Sequence, residues 1–147
     1  MNLNKFTERA QEAVLAAPQL ASEASHAQVG PEHVLVTLTE QSNGVVPSVL
    51  SKLNVEPTAV AGALRAFLAR QPKAHGGSEP HLSPRLRVVF DAAQAEAKAM
   101  QDEYVSTEHL LLALADTKGA ETANLLKAQR VTKKGLLEAL QAVRGAH

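Results

Sequence analysis

The sequence predicts an all-α fold, an eight-helix bundle built from two pseudo-symmetric four-helix repeats. Three observations carry that expectation. The 147-residue chain is rich in Ala and Leu, with three Phe, one Tyr, and no Trp or Ile. Ala and Leu favour helix, whereas β-branched and aromatic residues favour strand. Apolar residues recur at the i, i+3, i+4 spacing of amphipathic helices. The chain also repeats itself: Val29-Gly30-Pro31-Glu32-His33-Val34-Leu35 returns 76 residues later as Val105-Ser106-Thr107-Glu108-His109-Leu110-Leu111. The same offset aligns Phe6-Thr7 with Leu82-Ser83, Arg9 with Arg85, Leu50 with Leu126 and Leu64 with Leu140 without a gap.

Taken in order, the first helix of each copy opens after a hydroxyl residue suited to an N-cap, Thr7 and Ser83, with Pro84 at the first helical position of the second copy. The expected core faces are Phe6, Ala10, Ala13, Ala17, Leu20 and Ala24 in one, and Leu86, Val89, Phe90, Ala93, Ala97 and Met100 in the other. Pro18 interrupts the first of these helices. An interior proline deletes a donor and clashes one turn back, so a bend or a split is expected there. The second helix opens at Pro31 or Thr107 and is apolar almost all round, the pattern of a buried central helix. The third spans about Pro47 to Leu53 and Glu121 to Ala128; the fourth spans Pro57 to about Gln71 and Lys133 to Val143. Between repeat one (about 6–71) and repeat two (about 82–143), residues 72–81 are rich in Pro, Gly and Ser and read as a loop. Units of about 70 residues bury little surface alone, so the two copies are expected to pack as one domain.

Composition excludes several function classes. Fifteen Lys and Arg balance fifteen Asp and Glu, evenly in both halves, which leaves no basic footprint for nucleic acid. With no cysteine, disulfide scaffolds, thiol nucleophiles and Cys-containing zinc sites are out, and a reducing compartment suits the chain. The longest apolar run, Leu110 to Ala115, is too short to span a membrane, and the N-terminus lacks the apolar stretch of a signal peptide. A cytoplasmic location and no membrane partner are expected. The six histidines form no H-x-x-x-H or H-E-x-x-H pair; His33 and His109 stand at equivalent helix starts, so no metal site is expected.

MNLNKFTERAQEAV, HAQVGPEHVLVTL, LARQPK, LSPRLRVVFDAA, DEYVSTEHLLLAL and LLEALQAVRG together resemble the N-terminal domain of the ClpB-type AAA+ disaggregases, over the whole chain. The resemblance implies eight helices in two repeats and, from about residue 144, the start of a linker (144–147) to an ATP-driven hexameric ring. It also implies a protein-interaction domain that engages unfolded or aggregated polypeptides, acts with the rest of the hexamer and a co-chaperone system, and is itself a monomer. ATP and Mg belong to the ring. No G-x-x-x-x-G-K-[ST] cradle occurs in these residues, so no cofactor and no enzymatic activity are expected of this chain. An excised domain and a stand-alone protein would read alike.

The resemblance assigns Thr7, Asp102 and Glu108 to substrate engagement. Each has a plain structural alternative: Thr7 as an N-cap, Glu108 as a helix-start carboxylate, and Asp102 as a solvated loop charge. From the residues alone, the Ser83 helix carries a second apolar face, Val88, Ala92, Ala95 and Ala99, opposite its core face. With Leu15 on the first helix, this reads as a shallow apolar groove for peptide segments, or as alanine serving as a surface helix former. Small Ala92 and charged Glu96 depart from the family's larger aliphatics. Two alternatives stand beside this reading. One is the N-domain of a ClpC- or ClpA-type protease unfoldase, with Glu32 and Glu108 binding adaptors or phosphoarginine-marked substrates. The other is a small metal-dependent enzyme.

Overall fold

The computed structural model describes residues 3–77 and 79–145. Among them are eight helices: α1 (Glu8–Glu23), α2 (Pro31–Thr39), α3 (Val45–Lys52), α4 (Pro57–Ala69), α5 (Pro84–Ala99), α6 (Thr107–Asp116), α7 (Glu121–Ala128) and α8 (Lys133–Gly145). Every start in the first four returns 76 residues on, and every end does too except that α6 runs one residue longer than α2. The backbone turns repeat as well. Ser25 and Gln101, Asn43 and Gly119, and Asn54 and Arg130 are pairs at that offset, and all six have positive φ. They sit just beyond the caps or in the loops that follow, where a left-handed residue turns the chain. The conformation persists although the residue types do not.

Two short strands, β1 (Gln28–Val29) and β2 (His81–Leu82), pair in parallel, with Val29 opposite Leu82. Their counterparts at the 76-residue offset form a bridge between Phe6 and Val105. The entry segment of each repeat is thus stitched to the loop before the buried helix of the other, by Ser83 N–H to Val29 O and Thr7 N–H to Val105 O, both 2.9 Å.

The buried helices are α2 and α6. Val34, Leu35, Val36, Leu38, Leu110, Leu111, Leu112 and Leu114 are fully buried in one continuous core. Helix α1 packs on α2 and α5 on α6. Phe6 and Phe90 meet edge to face with centroids 5.8 Å apart, joining the two halves of the core.

The structure departs from the sequence reading in detail. In α1, Val14 and Ala21 join Ala10, Ala13 and Ala17 inside, while Leu20 and Ala24 are only half-buried. Ala24 is the C-cap, one residue past the end of the apolar stripe. Pro18 does not split the helix, which runs unbroken from Glu8 to Glu23. Helix α3 begins at Val45, placing Pro47 third in the helix, where the backbone donor would be unpaired in any case. Helix α8 continues past Val143 through Gly145, so Arg144 is helical rather than linker. Residues 146 and 147 of the expected linker start lie outside the described residues.

Candidate functional site

The three sequence-predicted polar residues gather where repeat one meets the start of α6. Thr7 caps α1, its Oγ1 accepting the Ala10 N–H at 3.2 Å. Its own N–H goes to the Val105 carbonyl, in the loop that carries Asp102 and leads into Glu108. At the N-terminus of α6, His109 reaches back so that Nδ1 accepts the Ser106 N–H at 2.8 Å. That bond places the ring proton on Nε2, which donates to Asp102 Oδ2 at 2.7 Å. Asp102 is therefore not a solvated loop charge.

Arg144, near the end of α8, ties the two acids together. It donates to Asp102 Oδ2 at 2.8 Å and Oδ1 at 3.4 Å, and to Glu108 Oε2 at 3.1 and 3.2 Å. The guanidinium, then His109, holds the Asp102 carboxyl below its ordinary range, and the Arg144 proton is held correspondingly more tightly. Glu108 is 9% exposed, and the guanidinium is the hydrogen-bond partner of its buried carboxylate. Tyr104, between the two acids in sequence, is 47% exposed.

The corresponding corner of repeat one is built differently. His33 Nδ1 accepts the Gly30 N–H at 2.9 Å, as His109 does from Ser106. Its Nε2 meets a second imidazole, His26 Nδ1, at 3.0 Å, and His26 Nε2 donates to the Leu68 carbonyl at 2.9 Å. Here His26 and Leu68 stand where repeat two has Asp102 and Arg144. Glu32, the counterpart of Glu108, accepts the Glu121 N–H at 3.3 Å. It borders a cavity of about 540 Å³ with His26, His33, Leu68, Arg85 and Glu121. Burial pushes its carboxyl up despite that bond and nearby Arg85.

The Clp repeat (R) N-terminal domain family model matches residues 5–129. The chain belongs to that family. It is 39% identical to the chaperone protein ClpB of Bdellovibrio bacteriovorus over 141 residues, covering 95% of this chain and 16% of that protein. It thus spans about a sixth of the length of such curated relatives. The fold is that of the Hsp104 N-terminal domain from Candida albicans, with a TM-score of 0.83 at 19% identity, covering 98% of this chain and 94% of that one. A complex of a ClpV N-domain with a VipB peptide matches with a TM-score of 0.75 at 21% identity, covering 92% and 87%.

On this Clp N-domain the expected apolar groove is only partly realised. Val88 is 55% exposed, Leu15 is 62% exposed, and Ala95 is also open. Ala92 is half-buried and packs against the core, so it forms the floor of the stripe rather than its surface. Leu15 is on α1, which packs chiefly on α2, and the Val88 stripe is on α5, which packs chiefly on α6. Glu96, the charged departure noted in the stripe, is paired with Lys133 of α8. No group of three His, Asp or Glu side chains is arranged to hold a metal ion among the described residues. No helix among them is long and apolar enough to cross a membrane. Arg144 and Tyr104 are the site residues that sequence reasoning missed. The repeat offset was the available signal for Arg144, since it sets a charged residue against Leu68.

Proposed function

We propose that this chain is the client-engaging domain of a ClpB-type disaggregase: a cytoplasmic, non-catalytic module that binds segments of unfolded or aggregated protein. It helps deliver them to an AAA+ ring, which supplies the ATP and Mg chemistry and works with a co-chaperone. The observation that supports this best is that one guanidinium joins Asp102 and Glu108 across the loop that also carries exposed Tyr104 and the Val105 carbonyl bonded by Thr7. Unfolded clients expose apolar stretches flanked by Lys and Arg, and a carboxylate pair next to an aromatic ring suits such a segment. The exposed face formed by Val88 and Ala95 offers apolar contact. The peptide complex of the ClpV N-domain supports peptide binding by this fold.

Titration of the labelled chain with casein, followed by amide NMR, tests the reading. Thr7, Asp102, Glu108 and the Val88–Ala95 face should shift together. Binding should be weak, because an unfolded client loses chain entropy on docking. Ala95→Glu should weaken it with stability changed by no more than about 0.5 kcal/mol, the usual range for an exposed site. Ala92→Glu should cost stability as well, because that residue packs inward. Shifts confined to another surface would refute the assignment.

One observation favours a second reading, binding of adaptors or phosphoarginine-marked substrates as in the ClpC- or ClpA-type unfoldases. Glu32 faces an open cavity and, among the described residues, no guanidinium is hydrogen-bonded to it. Glu108, the other acid that reading needs, is bonded to Arg144, so either reading requires Arg144 to yield it. Retention on immobilised phosphoarginine, lost in Glu32→Gln, would favour it.

A further inference from the structure

We propose that Arg144 is a resident stand-in for a client cation: it occupies Asp102 and Glu108 until an arginine of the client displaces it, and its departure releases the last turn of α8. The inference rests on the client-binding reading above and adds a competitor to that surface. The geometry is that of an occupied site. One guanidinium bridges both carboxylates with four donor contacts, the arrangement a client arginine would have to reproduce.

The contact is placed to open. Arg144 lies in the last described turn of α8, beyond its buried Leu136, Ala139 and Leu140. Its side chain is 39% exposed, so solvent and a competing guanidinium can reach it. Those buried residues lie one or more turns earlier, and in the last turn Val143 is only partly buried against the core. In repeat one the equivalent position is Leu68, which is buried, with its carbonyl accepting from His26. Repeat one fastens its last helix with a charge elsewhere, Arg65 on Glu40, and has none at the position equivalent to Arg144. Binding free energy is reciprocal between coupled sites, so an ordered α8 terminus weakens capture of client cations and a bound client loosens that terminus.

The test uses the 147-residue chain as wild type, Arg144→Gln and Arg144→Lys. The probes are an unstructured Leu-rich peptide flanked by arginines and the same peptide with citrulline, the neutral isostere. Arg144→Gln should bind the arginine peptide about three- to fivefold more tightly than wild type, with Arg144→Lys between them, because an ammonium lacks the planar fork with which the guanidinium grips both acids. All three should bind the citrulline peptide alike. In the wild type, the arginine peptide should speed amide exchange at residues 141–144. If Asp102 and Glu108 respond but Arg144→Gln binds no more tightly, Arg144 is no competitor and this inference fails while the client site stands. If neither acid responds in any variant, the client site fails and takes the inference with it.

Discussion

The two repeats share a backbone and differ in what fastens it. Both place a histidine at the third position of the buried helix, and both use it to hold the N–H of the residue before that helix. Beyond that ring, repeat one continues with a second imidazole and a main-chain carbonyl, and repeat two with a carboxylate and an arginine. The first chain of bonds is neutral and buried. The second is charged and reaches solvent. Duplication preserved the positions at which a polar link is needed and left the chemistry of the link free to diverge. The first solution makes a structural corner with an adjacent cavity; the second makes a surface with exchangeable partners.

The largest effects should ignore this difference. Leu35 and Leu111 are equivalent, fully buried members of one core. Leu35→Ala and Leu111→Ala should each cost about 2–5 kcal/mol. Urea denaturation of either variant should remain a single transition, because Phe6 and Phe90 and the crossed strand pairs join the halves. Two separate transitions would show that the repeats are independent units.

Proline offers a reciprocal swap. Pro18 of α1 corresponds to Gln94 of α5, and both helices are unbroken. Gln94→Pro should cost about 3 kcal/mol or more by removing a helical hydrogen bond and clashing with the preceding turn. Pro18→Gln should return part of that amount, since α1 has already adapted to the ring. Equal and opposite changes would mean that α1 carries the full penalty unrelieved. No gain in thermal midpoint for Pro18→Gln would mean that something else compensates the missing donor.

Acid should separate the repeats. The Gly30 N–H fixes His33 Nδ1 as an acceptor, so His33 donates through Nε2 to His26, and His26 donates to Leu68. A further proton on either ring would set donor against donor. Burial, and then the neighbouring His26, push His33 down to about 4. Its unfolded value is near 6.5, so the unfolded chain takes up the proton first. The contribution is whole above pH 6.5 and is lost as the pH falls toward 4, reaching at most about 3 kcal/mol. Glu32 opposes this, because its raised carboxyl accepts a proton earlier in the fold than in the unfolded chain. Arg85 and Glu121 complete the charges around that cavity. Asp102, held low, contributes stability that is lost only as the pH falls below the ordinary carboxylate range. His33→Asn keeps an acceptor for Gly30 and removes the titration. Its urea midpoint should fall less between pH 6.5 and 4.5 than that of the wild type, and identical slopes would remove His33 as the cause.

These contrasts mark how far the sequence could be read. The helices were legible because each has a local signal: Ser83 and Pro84 before α5, and the all-round apolar face of α2 and α6. The repeat offset transferred each local signal to the other half. Two-residue strands such as β1 and β2 carry no period, and the crossing of each entry segment to the opposite repeat leaves no local trace. Asp102 and Glu108 entered through family resemblance and Ala92 through helical spacing. Arg144 is far from both acids in sequence, and only the packing of α8 brings it to them. The inward turn of Ala92 depends on how α5 rolls against the core, which spacing alone leaves open by about one position per turn.

The smallest effect concerns the two caps, and it separates structure from function at Thr7. Thr7 Oγ1 and Ser83 Oγ accept the N–H three residues on at 3.2 and 3.0 Å. Thr7→Ala and Ser83→Ala should each cost about 1 kcal/mol, the usual loss for a hydroxyl cap. Thr7→Ser keeps the cap and removes only the methyl group, so its stability should match that of the wild type within a few tenths of a kcal/mol. Client binding then discriminates between the two roles. If Thr7 contacts the client through its hydroxyl, Thr7→Ala weakens binding while Ser83→Ala, equally destabilised but away from Asp102, does not. Thr7→Ser should then bind as the wild type does. Equal losses of binding in the two alanine variants would reduce Thr7 to a cap, and the asymmetry between the repeats would then rest on Asp102, Glu108 and Arg144 alone.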